Sequence, residues 1–312
     1  MVSNKKTKID FLVITGPTAS GKTKVATNIA YTHSGEIISA DSRQIYKGMD
    51  IGTGKDLNEY TIRNKKIPYH LIDILNPNQN YSVYQFQRDF IKSYNIIKNN
   101  KNLPILCGGT GLYIESILLK YKLQNYPGPN QLLRNSLQEK TTEELMELLK
   151  KLSEKDYTNP KKTDTKNRII RTIEINMHEN KDEVDIFKDQ KFDNFLVIGI
   201  KQNREENKQL IRKRLAQRIE EGLIEEVESL LKHQKINMKR LEYFGLEYKF
   251  VGLHLKNEIT KDELLDKLGT AIGQFAKRQI SWFRRMEKKG VEINWLEPNE
   301  LDKINLLLLN AL

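Results

Sequence analysis

The sequence predicts an α/β protein: a parallel sheet flanked by helices, with an all-helical insertion. Three observations carry this. Residues 16–23 read Gly-Pro-Thr-Ala-Ser-Gly-Lys-Thr, the pattern G-x-x-x-x-G-K-[ST], between an apolar run and a helical pattern. Short apolar runs then alternate with amphipathic segments as far as about residue 120. From about Lys122 the chain turns polar and helical, and an apolar run returns at Phe195. Strand, glycine loop and helix in that order open a P-loop NTPase-like core. Alternating strands and helices call for parallel strands with helices on both faces.

Each element has its own signal. Phe11–Thr15 is an unbroken apolar run, the mark of a buried strand. Lys22–Tyr31 sets Val25, Ala26, Ile29 and Ala30 at helical spacing. Further strands are expected at 36–40, 69–74 and 103–107. Val83, Phe86, Phe90, Tyr94 and Ile97 recur every three or four residues and predict a helix over 83–98. Asn125-Tyr126-Pro127-Gly128-Pro129 signals a loop or linker. Polar helices follow at 142–152 and about 164–177, with a lysine-rich turn at 159–162 between them. The expected division is 1–121 for the first part of the core, 122–192 for the insertion, and 193–312 for core completion. The insertion is too polar to promise much core of its own. Phe195–Ile200 is expected to rejoin the parent sheet, and 207–231 reads as one long helix. The last helix opens on the capping box Thr260-x-x-Glu263 and stops at Gly290.

Composition bounds the function. The 312 residues are 38% hydrophobic and 30% charged, enough for one large or two modest domains. No stretch approaches the ~18 apolar residues of a membrane span. The first ten residues lack a signal-peptide core, and a single cysteine, Cys107, precludes an intrachain disulfide. A cytoplasmic protein is expected. The net charge of +11 fits a polyanionic partner such as nucleic acid, or a general lysine bias.

Several residues carry chemistry. The loop Gly16, Pro17, Thr18, Ala19, Ser20, Gly21, Lys22, Thr23 is expected to bind phosphate through backbone N–H groups at a helix N-terminus. Lys22 adds a cation, and the Thr23 hydroxyl can hold Mg2+. Asp41 ends the second strand, at the sheet edge where ligands bind, and could hold metal, accept a proton or cap a turn. Gly108-Gly109-Thr110-Gly111 makes a second turn at that edge, with Cys107 before it in the core. Arg214 and Arg218 lie four apart on one helix; Arg218 suits an anion or a salt bridge to Glu221. Asn167–Arg171 and the last helix, with Lys277, Arg278, Arg284, Arg285, Lys288 and Lys289, suit RNA or a solvated face. Trp282 and Phe283 among them are expected in the core.

Taken in order, the motifs are GPTASGKT at 16–23, IISADSRQIYKGMDIGTGK at 37–55, PYHLIDI at 68–74, YSVYQF at 81–86, PILCGGTGLYI at 104–114, NRIIRTIEI at 167–175 and AKRQISWFRR at 276–285. This set resembles the tRNA dimethylallyltransferases, or isopentenyl-diphosphate:tRNA transferases, of bacterial type, over nearly the whole chain. The resemblance implies transfer of a dimethylallyl group to N6 of the adenosine 3′-adjacent to the anticodon, in tRNAs reading codons that begin with U. It fills the phosphate loop with dimethylallyl diphosphate rather than a nucleotide, with Mg2+ as cofactor. It assigns catalysis to Lys22, Asp41, Thr110 and Arg218. It places tRNA contacts at Asp41, Ser42, Arg43, Gln44, Thr110, Arg134, Asn167, Arg168, Ile169, Ile170, Arg171, Lys277 and Arg278. The insertion becomes a tRNA-binding domain closing on the anticodon stem-loop, and a monomer is expected. The chain departs from the family's Ile-Gly-Tyr-Lys-Glu segment, reading Leu241-Glu-Tyr-Phe-Gly-Leu-Glu-Tyr-Lys249.

Three rivals use parts of the same evidence. An adenylate prenyltransferase acting on AMP or ATP shares the loop, but the basic insertion and last helix favour RNA. A small-molecule kinase needs a carboxylate after an apolar strand, where Ile105–Gly108 has none. A non-catalytic RNA-binding protein has no need of Lys22, Thr23, Asp41 and Arg218 together.

Overall fold

The computed structural model describes residues 8–123, 130–178, 185–234 and 236–312; the linker signal at 125–129 lies outside them. The chain divides into two compact units, Met1–Tyr121 with Phe187–Leu312, and Lys122–Ile186.

The larger unit is built on a six-stranded parallel sheet. In chain order its first elements are β1 (Phe11–Thr15), α1 (Lys22–Thr32), β2 (Gly35–Ser39), a short 3-10 turn (Leu57–Tyr60), the hairpin β3 (Thr61–Ile62) and β4 (Lys65–Lys66), β5 (Tyr69–His70), α2 (Val83–Asn99), β6 (Leu103–Gly108) and α3 (Gly111–Leu118). The smaller unit supplies α4 (Gln131–Gln138), α5 (Thr142–Leu152), α6 (Glu154–Tyr157), α7 (Pro160–Thr163) and α8 (Lys166–Asn176). The chain then returns with β7 (Phe195–Ile200), α9 (Arg204–Glu220), α10 (Leu223–His233), α11 (Met238–Phe244), α12 (Leu246–Leu255), α13 (Lys261–Lys288), β8 (Asn294–Leu296) and α14 (Leu301–Ala311).

Strand order is β5-β2-β6-β1-β7-β8. β1 lies inside the sheet between β6 and β7, which is why its sequence is apolar throughout. Its side chains alternate between faces. Leu12 and Ile14 pack with Val25, Ala26 and Ile29 of α1 and Ile304 and Leu308 of α14. Phe11 faces the other way, edge-on to Phe90, Tyr94 and Phe192. The registers Thr15↔Gly108, Ser39↔Cys107 and Thr15↔Gly199 bring these strand ends out side by side, so the following loops share one edge. A second core joins α9 to α13 with Tyr46 and Met49.

The fold class holds, with local corrections. The strand expected at 69–74 ends at His70, because Leu71 and Asp73 take positive φ and Asp73 turns to pair with the buried Lys55. The helix expected over 207–231 breaks at Gly222, whose φ of +102° disfavours a side chain. The three-residue β8 and α14 had no expected counterpart. The capping box on α13 is present, with Glu263 N donating to Thr260 Oγ1 and Thr260 N to Glu263 Oε2. The insertion ends at 186 rather than 192, because Phe187 and Phe192 pack together and Phe192 joins the Phe11 cluster.

The smaller unit also has a better core than expected. Leu137, Leu145, Leu149, Ile169, Ile170 and Ile173 are all buried together, with Leu133, Met146, Leu148 and Tyr157 against them. Beside that core Glu174 accepts from Arg134 Nη2 at 2.8 Å and Arg171 Nη1 at 2.6 Å. Leu149→Ala should therefore cost about 2–5 kcal/mol of stability, read as a lower denaturant midpoint of this unit. An unchanged midpoint would mean the cluster contributes little.

Candidate active site

The loops after β1, β2 and β6 enclose a cavity of about 390 Å³. Thr18, Ala19, Gly21, Lys22, Thr23, Asp41, Ser42, Arg43, Gln44, Thr110, Arg218 and Arg278 line it, as do Arg214 and Gln279. Most of the residues expected to act on the diphosphate and the acceptor are thus brought together.

α1 begins at Lys22 with no side chain capping its N-terminus. The N–H groups of a first helical turn have no intrahelical acceptor, so this end presents donors and a positive dipole to an anion. The loop is narrower than its eight residues suggest. Thr18 N donates to Gln279 Oε1 at 2.8 Å and Ser20 N to Pro17 O at 3.3 Å, and Pro17 has no N–H. Donors remain at Ala19 and from Gly21 to Lys24, since Val25 N already bonds Gly21 O. Ser20 Oγ is buried with no partner among the described residues, so a phosphate oxygen suits this loop. Lys22 Nζ donates to Pro17 O at 2.6 Å. Burial pulls its pKa down to about 8, and Arg214 acts in the same sense, against Asp41.

Asp41 combines the turn and chemical readings. Its Oδ1 accepts from Arg43 N at 2.8 Å and Gln44 N at 3.4 Å, which fixes the carboxylate. Its Oδ2 accepts nothing from the described residues. Thr110 sits across from it, with Oγ1 accepting from Ser42 N at 3.1 Å. Cys107 is buried as expected, and burial raises its thiol to about 12, leaving it neutral.

Of the two readings open for Arg218, one drops out. Arg218 does not bridge to Glu221, which accepts from Gln217 instead. Arg214 Nη2 binds Asp56 Oδ2 at 2.5 Å, while Arg218 lies 3.9 Å from Asp56 and 3.7 Å from Glu247. An anion thus does lie between the like charges. Burial raises the Glu247 carboxyl, and Arg218 opposes that. Arg214 is the guanidinium whose field reaches Lys22. Sequence spacing named the pair but singled out only Arg218.

Two further residues had no expected role. Glu226 gathers the N–H groups of Asp50 and Ile51 at 2.7 Å each and of Gly52 at 3.0 Å, and accepts from Tyr248 OH at 2.9 Å. Its carboxylate shapes the 50–55 loop that leads to Asp56. Gln279 ties Thr18 to Gly109. It falls in a helix stripe of buried Ala276, Phe283 and Met286, where a polar residue is itself a signal.

The residues expected to touch RNA differ in their freedom. Arg43 donates to Tyr243 O at 3.0 Å and lies over the Tyr243 and Phe244 rings, so the divergent 241–249 segment holds it. Gln44 uses both ends of its amide, on Ser39 and Gly54. Lys277 is exposed, and Arg278 sits over Phe275. Arg285 and Lys289 instead pair with the fully buried Glu115, which also accepts from Trp282 Nε1. In the smaller unit Asn167 is exposed and Arg168 pairs with Asp164. Ile169 and Ile170 are 0% and 3% exposed, so their side chains are core and cannot reach RNA as expected.

Among the described residues no three or more His, Cys, Asp or Glu side chains gather to hold a metal. Mg2+ takes hard oxygen ligands, keeps several waters and relies on substrate phosphates. The Thr23 hydroxyl lining the cavity is an oxygen of the kind that ion takes.

A family model described as IPP transferase matches residues 44–286. The chain belongs to that family. A second model, Isopentenyl transferase, matches residues 9–72. A protein named tRNA dimethylallyltransferase 2 from Bacteroides fragilis is 48% identical over 303 residues, 96% of each chain. Among solved structures, a full-length tRNA isopentenylpyrophosphate transferase from Bacillus halodurans is 28% identical with a TM-score of 0.68, covering 98% of this chain and 97% of its own. A eukaryotic dimethylallyltransferase shares the fold, with a TM-score of 0.75 at 22% identity, covering 94% of this chain and 74% of its own. The family resemblance carried by the motifs is borne out.

For an IPP transferase the Lys22 environment has a pH consequence. A protonated Lys22 attracts a phosphate-bearing ligand, so with its pKa at about 8 affinity for such a ligand should be greatest well below that pH. Above it, affinity for dimethylallyl diphosphate should fall, by at most about tenfold per pH unit, towards that of a site with an uncharged side chain. Calorimetry from pH 7 to 9.5 checks this, with Lys22→Gln expected to be weaker and flat. A flat wild-type profile would contradict it.

Proposed function

We propose that this chain transfers the dimethylallyl group of dimethylallyl diphosphate to N6 of the adenosine 3′-adjacent to the anticodon, in tRNAs reading codons that begin with U, and releases diphosphate. One observation carries the reading: an uncapped helix N-terminus with Lys22 shares a cavity with Asp41 and Thr110. An anion grip and a carboxylate for an incoming amine are what an allylic substitution needs.

The exocyclic N6 amine is conjugated into the purine ring and is a weak nucleophile. The allylic C1–O bond must loosen early. As the N6–C1 bond forms and C1–O breaks, charge develops on diphosphate and N6 sheds a proton. The donors at Ala19 and the start of α1, with Lys22, Arg214 and Arg218, stabilise the leaving diphosphate. Asp41 accepts the N6 proton through Oδ2, the oxygen not spent on its own turn, and passes it to water. Thr110 keeps its hydroxyl proton to orient the base. Thr23 would hold an Mg2+ ion, which would supply charge neutralisation to the leaving group. The adenosine must leave its stack to reach the cavity.

Ser42, Arg43, Lys277 and Arg278 on the larger unit, and Arg134, Asn167, Arg168 and Arg171 on the smaller, are the side chains assigned to the anticodon stem-loop. Gln44 contributes by bracing the loop. With tRNA as its substrate the protein would work in the cytoplasm.

The test is a transfer assay with Mg2+ and labelled dimethylallyl diphosphate, offering tRNA anticodon stem-loops or AMP. Label should enter only the stem-loop, and Asp41→Ala should abolish transfer with stem-loop binding nearly intact. Label on AMP alone would overturn the assignment in favour of an adenylate prenyltransferase.

A further inference from the structure

Gln279 lies in the middle of α13 and is 7% exposed. Both ends of its side-chain amide are used, each on a different loop of the site. Its Oε1 accepts from Thr18 N at 2.8 Å, inside the phosphate loop. Its Nε2 donates to Gly109 O at 2.9 Å, in the turn that carries Thr110. The Gly109 position is fitted to this contact, since a Cβ there would collide with Nε2. Besides it, Thr15 Oγ1 donates to Gly108 O at 3.1 Å and ties together the strand ends from which the two loops leave. α13 is in turn fixed to α3 from behind, through Trp282, Arg285 and Lys289 on the buried Glu115.

We infer that Gln279 is a positioning residue, a strut whose two hydrogen bonds set the separation between the diphosphate loop and the Thr110 turn, and so between leaving group and incoming base. This rests on the prenyl-transfer reading above. Gln279 itself touches neither the proton nor the breaking bond. One of its bonds removes the Thr18 amide from the set of phosphate donors, which is a cost to anion binding that a mere loop support has no reason to incur. A group-transfer step responds steeply to misplacement of the reacting atoms, by up to about 100-fold for a shift of about 1 Å. Each substrate's own contacts survive loss of the strut, so the effect should fall on turnover rather than on binding.

The experiment compares Gln279→Met and Gln279→Glu with wild type in steady-state transfer to a stem-loop, with thermal unfolding as a check on the fold. Met keeps the shape and loses both bonds: kcat should drop about 10- to 100-fold, with both KM values within about threefold. Glu keeps the acceptor for Thr18 N but faces Gly109 O with a carboxylate, which cannot donate. When protonated, its hydroxyl donates to Gly109 O while its carbonyl oxygen accepts from Thr18 N. The ratio of Gln279→Glu to wild-type kcat should therefore rise as pH falls, and the same ratio for Gln279→Met should not. Unchanged kcat in well-folded Gln279→Met, a rise in donor KM alone, or a pH-independent Glu ratio would each overturn the inference. Wild-type protein that transfers no prenyl group to RNA is a failure of the underlying reading, and is distinguished by that control.

Discussion

The arrangement depends on one unmet demand: the first turn of α1 presents backbone N–H groups that no side chain among the described residues caps. Gly21 and Lys24 are exposed, so water or a ligand must meet these donors where a Ser, Thr, Asp or Asn side chain usually does. Here Gly21 occupies the cap position and offers none. The central strand β1 delivers the loop to the sheet edge, and β2 and β6 deliver Asp41 and Thr110 to the same edge. The unmet donors, the Ser20 hydroxyl without a partner among the described residues and the desolvated Lys22 support the proposed phosphate site.

Around that grip the protein balances its charges. Arg214 and Arg218 would repel each other one helical turn apart, and Asp56 and Glu247 moderate this. Asp56 lies beyond a loop whose N–H groups are gathered by Glu226. The guanidiniums are thereby held ready without being fully neutralised, since Arg218 has only carboxylates at 3.7 and 3.9 Å. Preorganised charge of this kind would favour a transition state in which negative charge on a leaving diphosphate grows over the less charged ground state. The divergent 241–249 segment also finds a place: Glu247 faces Arg218, Tyr248 supports Glu226, and Tyr243 and Phe244 hold Arg43.

The parts of the fold set by local rules were legible in the sequence. Sterics dictate the glycine loop, burial on both faces dictates an unbroken apolar β1, and Thr260 with Glu263 announces α13. Elements set by tertiary context were not legible. β8 is three residues long and exists because β7 offers it an edge. Gly222 sits inside an apolar repeat that runs on from 219 to 223, so only its backbone reveals the break. In the site, Asp41 and Thr110 follow strand ends and could be placed from sequence. Glu226 and Gln279 bind mostly backbone groups, which leave no mark on the composition of their partners. Ile169 and Ile170 were assigned by motif, although their spacing with Ile173 already fits a buried face. Motif membership alone does not separate a residue that touches substrate from one that supports the helix.

The central claim is that this loop grips an allylic diphosphate and not a nucleotide. Calorimetric titration of the wild-type protein with Mg2+ and either dimethylallyl diphosphate or ATP tests it most directly. The account predicts that dimethylallyl diphosphate binds at least about tenfold tighter than ATP, and that adding adenosine to the diphosphate brings no gain. ATP binding more tightly, with affinity lost when its adenine is removed, would contradict it.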